Sequence, residues 1–421
     1  MSKGYRWWLL FVLLLVCLMN YADRSVVGAV AEPLRREFHL TDLQLGILSG
    51  FSFALLYSVM GIPLARLAER RSRIHIIAAA TLVWSVMTSL CGIASGYTQL
   101  LLMRVGVGVG EAGFMAPATS LLGDHFRREE RALATSIMML GVPFGALLGA
   151  MSGGIIAQSM GWRWAFILTG IPGVLIGLLV VATLREPVRG HSGEQAETQA
   201  PSLGVVARQC FSSAVFRHVV MGGTLGGFGL HGLGQFLGVY FTRVHALSYS
   251  AAGTLYGMQT FASVAGGLLV GGSLANRLGR RDPRWYALIP AIGMFGSVPL
   301  YLLGFEARSL AVSVALIIAA GISLLLHYGP GFAIVQNLAT PRTRASSVAL
   351  YMVFVNAVAM GLGAPLIGFL SDLFGRAAGP AVGLRHALMA STVFYAWGGV
   401  HYLLARRGME APQRTLQPAA A

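Results

Sequence analysis

Residues 43–73 read LQLGILSGFSFALLYSVMGIPLARLAERRSR: a run without charge, Leu43–Ala65, then five charges between Arg66 and Arg73. An uncharged run of this length matches the roughly twenty residues that a helix needs to cross a ~30 Å hydrocarbon core. The run is continuous and does not alternate, so it reads as a helix and not as a strand of an outer-membrane barrel. The same grammar repeats outward in both directions. Trp7–Ala31 precedes it, and Ile74–Ala94, Tyr97–Leu122, Leu133–Met160 and Trp164–Leu184 follow. Beyond a polar gap come Phe216–Tyr240, Ala251–Ala275, Trp285–Leu303, Leu310–Ala333, Ala345–Leu370 and Leu384–Leu404. The expected class is an all-α membrane protein of twelve transmembrane helices.

Composition agrees. Hydrophobic residues make up 55% of the 421 and charged ones 11%, less than half the charged share of an ordinary soluble domain. Too few charges remain to cover the surface of a soluble chain this long. The first span is too long for a cleaved leader, and Asn20-Tyr21-Ala22-Asp23-Arg24 stands where a small-residue cleavage site would be needed. Cys17, Cys91 and Cys210 have no metal-ligand spacing and read as small core fillers; no metal site is expected. The net charge of +15 does not point to nucleic acid, because its distribution is one-sided. Of the 31 Lys and Arg, 22 fall on the side holding both termini, 7 on the other and 2 inside spans. That bias predicts cytoplasmic termini and a basic excess facing the inner leaflet.

The stretch after residue 184 carries Pro187, Gly190, Gly193 and Pro201 among Glu and Gln. It divides the chain into an expected six-helix bundle at 1–184, a cytoplasmic linker at 185–214, a second bundle at 215–405 and a tail at 406–421. A short amphipathic helix is expected at 203–211. A weak repeat supports the division: Leu67-Ala68-Glu69-Arg70-Arg71-Ser72-Arg73 follows the second span, and Leu274-Ala275-Asn276-Arg277-Leu278-Gly279-Arg280 follows the eighth. Two parallel six-helix halves with a substrate site between them are the architecture of the major facilitator superfamily. Both loops resemble the acid–basic–any–glycine–basic signature of that superfamily, with Glu69 for the usual Asp, Ser72 for Gly, and Asn276 for the second acid. They read as a cytoplasmic gate of Glu69, Arg70, Arg73, Asn276, Arg277 and Arg280. An acid there suits the positive N-terminus of a facing helix, and Thr340-Pro341 has the form of such an N-terminus.

Ionisable groups inside spans carry the functional reading. Asp23 and Arg24 lie in the first span, Arg104 and Glu111 in the fourth. Each costs ~2.5–3.5 kcal/mol at the bilayer centre, so four unpaired would cost about 10 kcal/mol. They must face one another or a wet cavity. Arg104 and Glu111 share a helix face about 10 Å apart, which leaves room for Asp23 and Arg24 between them, and Gly106, Gly108 and Gly110 allow close helix approach. With both acids ionised the four charges cancel; one added proton frees an arginine. Asp23 and Glu111 are therefore expected to share proton coupling as one coupled system. Arg104 is expected to tune them, and Arg24 to face the cavity and meet an anionic group. The second half offers His231, Gln235, His327 and Asn356 as a hydrogen-bonding wall. His231–Gln235 and Asn20–Arg24 are i, i+4 pairs, with Tyr21 adjacent to the latter. Gly141-Val-Pro143-Phe-Gly145-Ala-Leu-Leu-Gly149 reads as a closely packed, bendable helix.

Asn20-Tyr21-Ala22-Asp23-Arg24, the second-span stretch Phe53–Arg70, Arg104-Val-Gly-Val-Gly108-Val-Gly110-Glu111-Ala and Gly161-Trp-Arg-Trp-Ala-Phe166 resemble the spinster family of that superfamily. The detailed match covers roughly the first 190 residues. The resemblance implies a proton-coupled carrier for a sphingolipid or lysophospholipid-type amphiphile, with Asp23, Arg104 and Glu111 proton-linked and Arg24 in the cavity. The short tails and brief linker point to a bacterial member at the inner membrane, and a monomer with no cofactor beyond the proton is expected. The organic anion:cation symporters, which also use an Asp-Arg pair and an Arg…Glu pair, remain an alternative and would make the substrate a sugar acid. A channel or membrane enzyme finds little support: no metal-ligand or phosphate-loop motif and no selectivity-filter repeat appears.

Overall fold

The computed structural model describes residues 3–187, 202–340 and 343–409, and all regular structure among them is helical. Among the described residues, ten helices are long and apolar enough to cross a membrane. The seventh and twelfth runs, 214–244 and Pro380–Gly408, are also helical and long enough to span. They are more polar, with His218, His231 and Gln235 in one and Arg385, His386 and His401 in the other.

The first span is one helix of 36 residues, Lys3–Phe38, which runs well past the apolar stretch and through Pro33. Several other spans are interrupted where the sequence predicts continuity. The fourth breaks into Tyr97–Glu111 and Met115–His125. Tighter i→i+3 bonds there, such as Phe114 N–H to the Glu111 carbonyl at 3.3 Å, replace the α pattern. The tenth, its counterpart in the repeat, breaks at Leu326 and His327. The fifth breaks at Leu140, while π turns occupy Ile47–Phe51, Gly229–Leu233 and Val355–Met360.

By contact the chain forms two compact units. The first comprises Met1–Ala196 with Gln235–Phe261, the second Glu197–Gly234 with Ala262–Ala421. The segment 235–261 thus packs with the first six spans although by sequence it follows the linker. Small residues make its fit: Gly257 lies so near Leu147 that an added Cβ would come within 2.8 Å of the Leu147 carbonyl oxygen.

In the first unit, helix Gly141–Ser159 lies along the first span, its buried Gly141, Gly145 and Gly149 facing Cys17–Ala22. A Cβ at Gly141 would sit 2.7 Å from the Leu18 nitrogen. Without a hydrophobic driving force between helices in lipid, such backbone approach supplies the van der Waals energy of association. The expected linker helix is present as Leu203–Ser212 and docks in the second unit. Its Cys210 donates to the Ser347 hydroxyl at 3.2 Å, and Phe211 packs edge-on against Phe216 and Phe354.

Candidate functional site

The four intramembrane charges meet inside the first unit as two cross-helix pairs. Arg24 Nε donates to Glu111 Oε2 at 2.7 Å. Asp23 accepts from the Thr88 hydroxyl of the third span, and its other oxygen lies 3.8 Å from Arg104 Nη1. That last separation is too long for a hydrogen bond. It leaves Asp23 Oδ1 and Arg104 Nε and Nη1 buried without a hydrogen-bond partner among the described residues. One pair is therefore tight and the other loose. Asn20, one turn before Arg24, is buried alongside Glu111.

Aromatic rings complete the setting. The Arg24 guanidinium carbon lies 4.6 Å from the Phe53 ring centroid and 5.0 Å from those of Tyr21 and Tyr57. Arg104 approaches Phe53 from 5.7 Å. Three π faces around one cation are a favourable electrostatic enclosure in a desolvated site. Phe53 takes this place because Gly108 lets the second span close in: a Cβ there would stand 2.7 Å from the Phe53 carbonyl oxygen. Arg24, expected to face the cavity, is instead paired with Glu111 and enclosed, its side chain 14% exposed.

The second-half residues are not brought together in the same way. His327 is buried at the break of the tenth span, where Nδ1 donates to the Leu324 carbonyl at 2.6 Å and the ring packs against Tyr328 and Tyr402. His231 lies in the π turn Gly229–Leu233, and Asn356 in Val355–Met360. The wider turn between His231 and Gln235 alters the α-helical register that the i, i+4 reading assumes. Gln235 belongs to the first unit and His231 to the second. The Gln235 backbone carbonyl packs close to Gly28, and its amide oxygen is buried with no hydrogen-bond partner among the described residues.

The two gate copies differ. In the first, the Glu69 side chain lies outside the described residues and Arg70 is exposed. Arg73 is buried and held through two of its nitrogens: Nη1 pairs with Asp124 at 2.6 Å and donates to Ser120 at 2.8 Å, and Nε donates to Glu186 at 2.8 Å. Glu186 also accepts from the Ser72 hydroxyl and the Ile74 amide. Partial burial opposes its charge, but Arg73 and these donors outweigh that and hold its carboxyl below the usual range. In the second copy Asn276, Arg277 and Arg280 are all exposed. Pro341 lies outside the described residues. The helix expected to start there begins at Arg344, because the Thr340 and Thr343 side chains bond each other at 3.0 Å in a preceding turn.

A cluster that the sequence reading missed lies beyond the apolar part of the first span. Arg243 is forked onto Asp42 by two bonds of 2.7 Å and donates to Glu32 at 2.6 Å, all three side chains at most 5% exposed. Arg35 and Arg36 flank it at 3.3 and 3.1 Å. Glu37 nearby pairs with Arg163 and accepts from the Trp162 indole at 2.6 Å. The available signal was Glu32 and Glu37 recurring with Arg35 and Arg36 at helical spacing, which shows the helix continuing past Ala31.

The profile of the Major Facilitator Superfamily matches residues 13–364. An MFS-type efflux pump of Mycolicibacterium smegmatis is 33% identical over 87% of this chain and 84% of its own length. The sphingosine-1-phosphate transporter SPNS2 of Xenopus tropicalis is 27% identical over 91% and 78%. Among solved structures, a bacterial homolog of the human lysosomal transporter Spinster, inward-facing and unoccupied, superposes with a TM-score of 0.91 over 100% of both chains at 29% identity. The chain belongs to the spinster family of the major facilitator superfamily. It is an integral multi-pass membrane transporter, and the buried charges lie on the spans that carry the spinster-like motifs.

Proposed function

We propose that this spinster-type transporter couples protons to the movement of an amphiphile with an anionic headgroup, of the sphingolipid or lysophospholipid kind, by alternating access. The observation that carries the reading is the pair of unequal charge contacts in the first unit. Glu111 neutralises Arg24 directly, so a proton on Glu111 releases a ring-enclosed guanidinium for an anionic headgroup. Asp23, loosely set against Arg104 and held by Thr88, offers a second acceptor, and the two acids titrate as one system. Departure of the headgroup restores the Arg24–Glu111 pair and expels the proton. The aromatic enclosure suits a headgroup that joins charge to an apolar body. The likeness to a sphingosine-1-phosphate transporter supports a lipid-like cargo.

The proton is the coupling ion, no resident cofactor is invoked, and the transporter acts as a monomer. The one-sided arginine distribution supports a bacterial inner (plasma) membrane location with both termini cytoplasmic. Gln235, packed with the first unit, offers a hydrogen-bonding group for the rest of the substrate, and the two arginine-rich loops serve as the cytoplasmic gate.

The test is reconstitution into liposomes with a pH gradient and an internal pH dye. A sphingoid phosphate or lysophospholipid should move protons, gluconate should not, and Asp23→Asn should abolish the signal. Proton movement with gluconate alone would overturn the lipid reading in favour of an organic anion symporter. Full pH-driven transport by both Asp23→Asn and Glu111→Gln would overturn the coupling.

A further inference from the structure

The two copies of the arginine-rich loop invite different partners. In the first, Arg73 is consumed by Asp124 and Glu186. In the second, Arg277, Arg280 and Arg281 are exposed and pair with no carboxylate among the described residues. Asp282, the adjacent acid, accepts instead from the backbone N–H of Arg284 at 2.9 Å. The three guanidiniums, with Ser273 and Asn276, line one recess at the end of helix Tyr249–Gly279.

The same face continues into apolar surface. Leu269, Ser273, Asn276 and Arg280 follow at spacings of four, three and four residues, which places them along one stripe. Leu269 is 71% exposed, with Leu268, Val270 and Leu274 beside it at 36–44%. Between the leucines and the arginines the stripe is open: a Cβ added at Gly272 would meet nothing within 4 Å. From Leu269 to Arg280 the stripe runs about 16 Å, apolar at one end, small in the middle and triply cationic at the other. That order matches an acyl chain, a glycerol ester region and a phosphate.

We propose that Arg277, Arg280 and Arg281 hold the phosphate of an anionic phospholipid in the leaflet on that side, with an acyl chain along the Leu269 face. The assignment rests on the arginine-rich side being the inner leaflet, where clustered basic residues each add about 1 kcal/mol to anionic lipid binding. It does not depend on what the transporter carries.

The experiment uses the delipidated full chain in neutral detergent and follows thermal unfolding as phosphatidylglycerol or phosphatidylcholine is added. Phosphatidylglycerol should raise the midpoint and phosphatidylcholine should not. Replacing arginines with glutamine should weaken the response roughly five-fold per residue, and on the order of 100-fold in R277Q/R280Q/R281Q. These side chains are exposed, so the lipid-free midpoint should stay unchanged. An unchanged phosphatidylglycerol response in the triple variant would overturn the proposal. So would an equal response to inorganic phosphate, since the acyl face would then be idle. Loss of transport in the triple variant with the lipid response intact would leave the loop a gate and nothing more. Because binding is read without transport, the outcome is independent of the liposome assay.

Discussion

In the first six spans the buried polar groups that matter are carboxylates and guanidiniums: Asp23, Arg24, Arg104 and Glu111. In the last six they are phenols and an imidazole. Tyr301, Tyr351, Tyr395 and Tyr402 are almost completely buried, and His327 lies against Tyr402. The hydroxyls of Tyr351 and Tyr402 converge on Gly331, each 2.9 Å from where its Cβ would be. The two halves share one helical plan, down to matching breaks in the fourth and tenth spans, yet the acid–arginine pairs of the span interiors lie in the first, and Arg243 of the seventh span meets its acids only at the span's end. A phenol ordinarily keeps its proton until about pH 10. The phenols therefore offer hydrogen bonds whose number does not change near neutral pH, while the acid–arginine pairs of the first half are contacts that a proton can make or break.

The comparison is broken most severely by removing a charge from one side of a buried pair. Arg104→Ala leaves Asp23 facing Thr88 alone and is expected to cost ~3–5 kcal/mol of stability and all coupled transport. Detergent unfolding midpoints and the liposome assay read the two losses separately. Arg243→Ala leaves Asp42 with Arg35 alone and Glu32 with Arg36 alone, and should cost somewhat less, on the order of 3 kcal/mol. An unfolding midpoint within a degree of wild type would show that this cluster is no structural tie.

Smaller effects sharpen the contrast. Glu186→Gln is expected to lower the midpoint at pH 7, because the folded state holds the carboxyl's pKa below that of the unfolded chain. Stability from a depressed carboxylate is present above the unfolded pKa of about 4.5 and fades as pH falls through the lower folded value. The gap to wild type should thus close progressively below pH 4.5, and a gap independent of pH would count against the ionic account of Arg73. Smallest of all, Tyr402→Phe in the second half should cost ~1 kcal/mol or less and leave the pH profile of transport unmoved. A shifted profile would mean that protonation is not confined to the first half.

Much of this was legible in the chain itself. Hydropathy runs gave the spans, and four charges inside spans gave the site, because a charge in hydrocarbon demands a partner and few were available. What the pattern could not give is which partner each takes. Arg24 and Arg104 are equivalent by composition, and only the approach of Phe53 over Gly108 decides which arginine is enclosed. Arg243, Glu32 and Asp42 sit where chain leaves lipid, and there a solvated charge and a buried one look the same in sequence. Asp124 and Glu186 were hidden likewise, as ordinary charges at span ends. The helix breaks at Ala112–Phe114 and at His327 leave no hydropathy signal, since the residues on either side are equally apolar.

The unbroken first helix ties these places mechanically. Over its 36 residues it holds Arg6 against Glu130 near one end, Asp23 and Arg24 at its middle, and Glu32 and Glu37 near the other. It works as a common shaft. Asp23 and Glu32 stand nine residues, or about 13 Å, apart on one rod, so a twist that reseats Asp23 is passed toward Glu32, with one weak point on the way at the Ala29 carbonyl, which Pro33 leaves without its helical donor. Sites this far apart ordinarily contribute additively, so a failure of Asp23 and Glu32 substitutions to add in a double mutant would be the signature of the shaft.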